Sequence, residues 1–278
     1  MICNLDFEMY QNTKEIQKRY EGFLQTPSLW KSDAVYQLNQ FKIEPKSKKI
    51  DLQIDEKLRL GKYIECFVFH QLRQEKTIEV ISENIQIQQD KRTLGELDCI
   101  ILKDDKPIHL EIIYKFYLYD CTVGESEIEH FIGPNKKDSL IEKLNKLKEK
   151  QLPLLYSDEC LEYLESIKIN VDKIKQQVYF KAQLFMPFSN RNIKFSVLNE
   201  NCVCGFYINK NELAQFSDCK FYIPNKKDWL TVPNQNVNWI NFNQFQESSN
   251  EYLGRQFSPL CWLKKPNGEI KKIFLVWW

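Results

Sequence analysis

Carboxylates stand where strand sequences usually carry apolar residues. They occur in Gly95-Glu96-Leu97-Asp98 and, a short hairpin later, in His109-Leu110-Glu111-Ile112-Ile113-Tyr114-Lys115. Both segments read as strands, and successive strand side chains point to opposite faces. Glu96 and Asp98 therefore share one face of the first. His109, Glu111 and Lys115 share one face of the second, with Leu110, Ile112, Tyr114, Phe116 and Leu118 on the other. Between them, Lys103-Asp104-Asp105-Lys106-Pro107 carries turn chemistry and a proline that ends pairing. Facing side chains of paired strands lie roughly 5–8 Å apart. That separation lets two carboxylates share one hard cation, whose oxygen ligands stand at roughly 2.0–2.6 Å. A sheet with one wet face shows the same alternation, so a rim-residue reading stands beside the site reading.

The flanking segments bear on that choice. Residues 58–74 read as a helix with Leu58, Gly61, Val68, Phe69 and Leu72 at helical spacing. Glu65 lies inside this stripe, where a carboxylate is costly unless paired or bound to a cation. It reads either as a rim residue reaching for Lys62 or as a further acid aimed at the strands. A strand over residues 78–88 follows. After an acidic loop over 124–132, Gly133-Pro134-Asn135 reads as the opening of a long helix, with Asn135 as its cap, Asp138 near its start and Pro153 at its end. Leu140, Leu144, Leu147 and Gln151 form the inward stripe. The lysines around it, Lys143 included, read as a solvated face, while Lys136 and Lys137 at the helix start are placed to meet a phosphate. A helix over 159–167 and a buried strand over 177–186 complete this part. Upstream, residues 7–43 read as helical with a break at Pro27. The pattern divides the chain into an N-terminal helical segment (1–50), a core (51–188) and an aromatic-rich α+β extension (189–278) packed on it.

Composition narrows the classes. With 278 residues, 43% apolar and 13% aromatic, the chain is globular rather than disordered. Lys and Arg total 39 against 38 Asp and Glu. Any attraction to nucleic acid must therefore come from local basic surface. The nine cysteines are scattered, and the lone Cys202-x-Cys204 has no partner pair at zinc spacing. Free thiols, no signal peptide and no run of membrane-spanning length lead to the expectation of a cytoplasmic protein. No Gly-rich phosphate loop, nucleophile elbow or H-E-x-x-H is present. His70, His109 and His130 are too dispersed for a histidine metal site.

The order helix, three strands, helix, strand, with Asp98, Glu111, Lys115 and Glu65 on it, resembles the common core of the PD-(D/E)XK nuclease superfamily over about residues 55–187. The resemblance implies an α/β, restriction-endonuclease-like fold. It makes Asp98 and Glu111 ligands of Mg2+, with Mn2+ as its substitute, Glu65 an auxiliary metal-binding acid and Lys115 the catalytic lysine. The usual lysine position, two after the glutamate, is Ile113 here; Lys115 lies ~7 Å farther along the strand. Gly95-Glu96-Leu97-Asp98, Glu111 with Lys115-Phe116-Tyr117-Leu118, Gly133-Pro134 with Asp138 and Leu140, Gln151-Leu152 and Asp228-Trp229-Leu230 also resemble an uncharacterised bacterial family, domain of unknown function 1853. In that family the glutamate and lysine stand four apart. The function expected is Mg2+-dependent hydrolysis of nucleic acid, DNA ahead of RNA, with Gln151 holding water or phosphate. The alternative is an inactive nuclease-fold protein that binds nucleic acid or a protein partner through an ion-pair network.

Overall fold

The computed structural model describes the backbone of residues 2–190 and 193–278, and side chains from Thr13 onward. Helix α1 (Ile2–Gln25) precedes a two-residue ribbon, β1 (Ala34–Val35) with β2 (Leu38–Asn39). Helix α2 (Leu60–Gln74) leads into three antiparallel strands, β3 (Ile78–Gln89), β4 (Arg92–Lys103) and β5 (Lys106–Tyr119). Then come β6 (Phe131–Ile132), α3 (Leu140–Lys146), α4 (Asp158–Ser166) and β7 (Lys175–Pro187). The last third adds β8 (Val203–Asn209), β9 (Lys220–Tyr222), α5 (Phe242–Gly254), β10 (Leu260–Lys264) and β11 (Ile270–Val276). The chain is a mixed α/β protein built on one large mixed sheet.

The sheet runs β3-β4-β5-β7-β8-β11-β10-β9, with β6 beside β5. The β5–β7, β7–β8 and β8–β11 pairs are parallel and the others antiparallel. Strands after residue 188 thus continue the same sheet as those before it. The period-two pattern of β5 resolves into two layers. Leu110, Tyr114, Phe116 and Leu118 pack with Phe23 of α1 and with Phe67 and Val68 of α2. Ile113 and Tyr117 pack with Leu140, Leu144 and Leu147 on the opposite face. Most C-terminal aromatics are packing residues: Trp229 meets Phe116 and Phe274 edge-on, and Phe221 stacks on Phe245 of α5 at 4.0 Å.

Two sequence expectations give way here. The helix expected to resume after Pro27 is instead an extended segment along β7. Leu29 N donates to Phe180 O and Phe41 N to Val178 O. The β8 pairing covers only Leu184–Pro187 of β7. The open edge below it takes up these backbone groups, which would otherwise be buried unpaired. The second long helix begins at Leu140, not at Gly133. Ser139 caps it, accepting from Glu142 N, while Asn135 Oδ1 accepts from Ser258 N. The Gly133 N–H bonds Asp138 O and Ile132 bridges Ser139, which fixes residues 133–138 as a turn. Beyond α3 the chain passes through a π turn (Leu147–Gln151) into a 3-10 turn (Leu152–Tyr156), so Pro153 lies inside a turn and not at a helix end.

Helix α1 is tied to the last third by Arg19, which is buried and bonds Asp228, Glu56 and Tyr63. The approach is close at Gly22, where a Cβ would sit 1.9 Å from the carbonyl oxygen of Leu230. Backbone cannot move aside as a flexible side chain can. Gly22→Ala should therefore lower stability by about 1–3 kcal/mol despite alanine's better helix propensity. Urea unfolding of both proteins measures the difference, and an unchanged midpoint would contradict so close a contact.

A candidate metal centre at a fork in the sheet

The β4–β5 ladder stops at Cys99↔Leu110. Beyond it β4 follows β3 to Arg92, while β5 stays with β7 to Leu118. Strand β6 rejoins the vacated side of β5 only at Leu118. Asp98 and Glu111 are the first residues past the last pair, so they face each other across the parting strands. Asp98 Oδ2 accepts from Ile112 N at 2.7 Å, replacing the ladder bond that the fork removes.

Glu111 is fully buried. Its Oε1 meets His109 Nε2 at 3.1 Å and its Oε2 accepts from Gln151 Nε2 at 2.7 Å. Gln176 Nε2 lies 3.0 Å from His109 Nδ1, which leaves His109 Nε2 to donate to the glutamate. From the other face of the sheet, the first turns of α2 bring Glu65 and Lys62 to the fork. One oxygen each of Glu65, Glu96 and Asp98 can lie within 4.8 Å of the others. Lys62 Nζ bonds Glu65 at 2.9 Å, Asn84 Oδ1 at 2.6 Å, and Glu96. Asn84 stands opposite the fork in β3 with φ 53, a left-handed conformation that asparagine tolerates.

Charge crowding shapes the proton affinities. Burial, and then the nearby Glu111 and Glu65, push the Asp98 carboxyl up to about 8, against the pull of the Ile112 amide and Lys62. Burial also raises Glu65, with Lys62 opposing and Glu96 and Glu111 adding to the rise. For Lys62, burial lowers its proton affinity, but the hydrogen bonds to Glu96 and Glu65 outweigh it and the net shift is upward.

The sequence-derived residues divide into two groups. Asp98, Glu65, Glu111 and Gln151 come together. The triad closest in geometry to a metal-binding set takes Glu96 with Asp98 and Glu65, while Glu111 engages His109 and Gln151. Lys115 stands apart, paired with Asp138 at 2.6 Å. A Cβ on Gly133 would lie 2.0 Å from Asp138 Oδ1, so this glycine makes room for the aspartate that holds Lys115. Lys226 lies 3.3 Å from the Trp229 ring centre; burial and the charge of Lys115 lower its amine to about 7. Lys136 and Lys137 lie on the turn before α3 and not at a helix N-terminus. Lys136 has φ 54, pairs with Asp120 at 3.6 Å and covers Trp278.

Lys143, read from the sequence as solvated, belongs to the site. Its Nζ donates to Gln151 Oε1 at 2.7 Å, continuing the chain that leads through Gln151 to Glu111. Burial lowers it to about 8, with Glu111 and Asp98 partly restoring its charge. A signal existed: Lys143 is three residues after Leu140 and four before Leu147, which places it against the inward stripe.

The chain belongs to the family described as domain of unknown function DUF1853, whose profile matches residues 10–276. No curated protein and no solved structure matches it. Among the described residues no helix is long and apolar enough to cross a membrane.

Asp98 makes metal-free stability depend on pH in a defined direction. Between about pH 4, where an unfolded aspartate titrates, and about 8 the folded protein holds an extra proton. Raising the pH through this window removes stability. In EDTA, Asp98→Asn should gain on wild type between pH 5 and pH 8, by about 2–4 °C in Tm for each kcal/mol released. Parallel melting curves for the two proteins would show that the Asp98 carboxyl is not raised.

Proposed function

We propose that this chain is a divalent-metal-dependent nuclease with a restriction-endonuclease-like core, hydrolysing phosphodiester bonds of nucleic acid, DNA ahead of RNA. The observation that carries the reading is the gathering of Glu65, Glu96 and Asp98, with Glu111 behind them, at the point where β4 leaves β5. The donors are all carboxylate oxygens, which suit a hard ion such as Mg2+ or Mn2+. Burial and the neighbouring carboxylates raise the proton affinity of Asp98, and a bound cation would offset both. Glu65, Glu96 and Asp98 would hold the ion, with Glu111 completing the acidic wall. A divalent cation bound there supplies Lewis acidity toward a phosphoryl oxygen and acidifies a water. His109 and Gln151 fix the orientation of Glu111, and Gln151 offers its amide as a contact for water or phosphate.

A second reading rests on the ammonium already among the acids. Lys62 bonds Glu65 and Glu96, and Lys115 separately bonds Asp138, so the same residues form ion pairs without any metal. On this reading the protein keeps a nuclease-like fold without cleavage and binds nucleic acid or a protein partner.

Metal titration separates the two. Calorimetry should show Mg2+ and Mn2+ binding to wild type, and Asp98→Ala should abolish it. Cleavage of DNA should fall with it, by about a hundredfold or more. Saturating metal at about 100 times Kd should add about 2.7 kcal/mol of stability over protein in EDTA. A wild type that binds no metal at millimolar concentration, with an oligonucleotide present, would leave only the ion-pair network.

A further inference from the structure

We infer that Lys143 of α3, and not Lys115 of β5, is the amine that meets the scissile phosphate at this site. The inference rests on the nuclease reading above and identifies the cation of that reaction.

Three features of the geometry lead to it. The position two after the glutamate is Ile113, buried among Tyr117, Leu140 and Leu144, where no amine is available. Lys115 is engaged by Asp138 at 2.6 Å, at the far end of the vacated edge of β5. Lys143 comes in from the covering helix and joins the acids through a single amide: its Nζ donates to Gln151 Oε1, and Gln151 Nε2 donates to Glu111 Oε2. That sequence of donors and acceptors orients the amide without ambiguity, since an ammonium only donates and a carboxylate only accepts. The π turn between α3 and Gln151 is the local irregularity on which the link depends, and such turns recur at functional sites.

The chemistry needs a cation there. In phosphodiester hydrolysis the water oxygen bonds to phosphorus as the ester P–O bond breaks. One water proton passes to solvent and the leaving oxygen gains a proton. Negative charge grows on the non-bridging oxygens meanwhile, and a fixed donor aimed at them stabilises the transition state more than the ground state. Lys143 transfers no proton in this scheme. Its ammonium supplies charge and a hydrogen bond, while Lys115 braces the turn over residues 133–138.

The test compares Lys143→Met, Lys143→Arg and Lys115→Met with wild type, each checked by its melting curve, on DNA with Mg2+. Lys143→Met should lower kcat by about a hundredfold with KM little changed, as loss of one transition-state donor does. Its calorimetric Mg2+ affinity should hold or rise, because a like charge has left the neighbourhood of Asp98 and Glu111. Lys143→Arg should recover part of the rate. Lys115→Met should keep kcat within about tenfold of wild type, a margin of about 1.4 kcal/mol in barrier. A Lys143→Met protein that cleaves as fast as wild type, or a loss confined to Lys115→Met, would overturn the assignment while leaving the nuclease reading intact. A wild type that binds metal yet cleaves nothing would overturn both.

Discussion

The bond from the Ile112 amide to the Asp98 carboxylate holds the site together. Where β4 turns away from β5, a backbone N–H loses its ladder partner, and a side chain from the departing strand supplies the replacement. That places a carboxylate beside the fully buried Glu111. The two charges repel, and the surrounding structure responds to the repulsion. Lys62 and Glu65 enter the fork from the α2 face, while Lys143 and Gln151 enter from the α3 face. The fork lets both layers of helices reach one spot, which a continuous ladder would keep separate.

The network also shows which electrostatic effect prevails at each lysine. Lys62 has two carboxylates within hydrogen-bond reach, and their pull exceeds the penalty of burial. Lys143 has an amide as its immediate partner and sees the carboxylates from behind it, so burial prevails and its affinity for a proton falls. Lys226 lies over the Trp229 ring, and burial and the charge of Lys115, with Asp138 a weaker compensating charge, take it further down. Burial lowers all three, by different amounts, and the nearest charged neighbours decide how much of that is offset.

Much of this was legible in the sequence because period is local. Alternation alone assigns Leu110, Tyr114, Phe116 and Leu118 to one layer and Glu111 to the other, and helical spacing alone exposes Glu65 as an anomaly in an apolar stripe. The fork was not legible, because the residue at which a ladder ends depends on a third strand and on twist. Without it, Glu96 and Glu111 could not be ranked as neighbours of Asp98. Asn135 and Ser139 are equally good caps as residues, and a tertiary contact decides between them: Asn135 bonds the backbone at Ser258, and Ser139 is left to start α3. Lys143 was grouped with its neighbours because lysines crowd that helix, although its spacing from Leu140 and Leu147 set it apart. Asp228-Trp229-Leu230 is explained by packing: Asp228 receives Arg19, Trp229 fills the core, and the Leu230 carbonyl lies against Gly22.

The strand order carries a consequence for how the molecule assembles. Strand β11 sits between β8 and β10, so an interior place in the sheet is filled by a strand made after all its neighbours. Helix α1 docks on a carbonyl more than 200 positions downstream. While a ribosome is still making the last third, the apolar flank of β8 has no neighbour, and parallel pairings of this kind are slow to form and exposed to aggregation. The nascent chain therefore passes through an interval in which α1 and the strands up to β8 are made but the sheet cannot close.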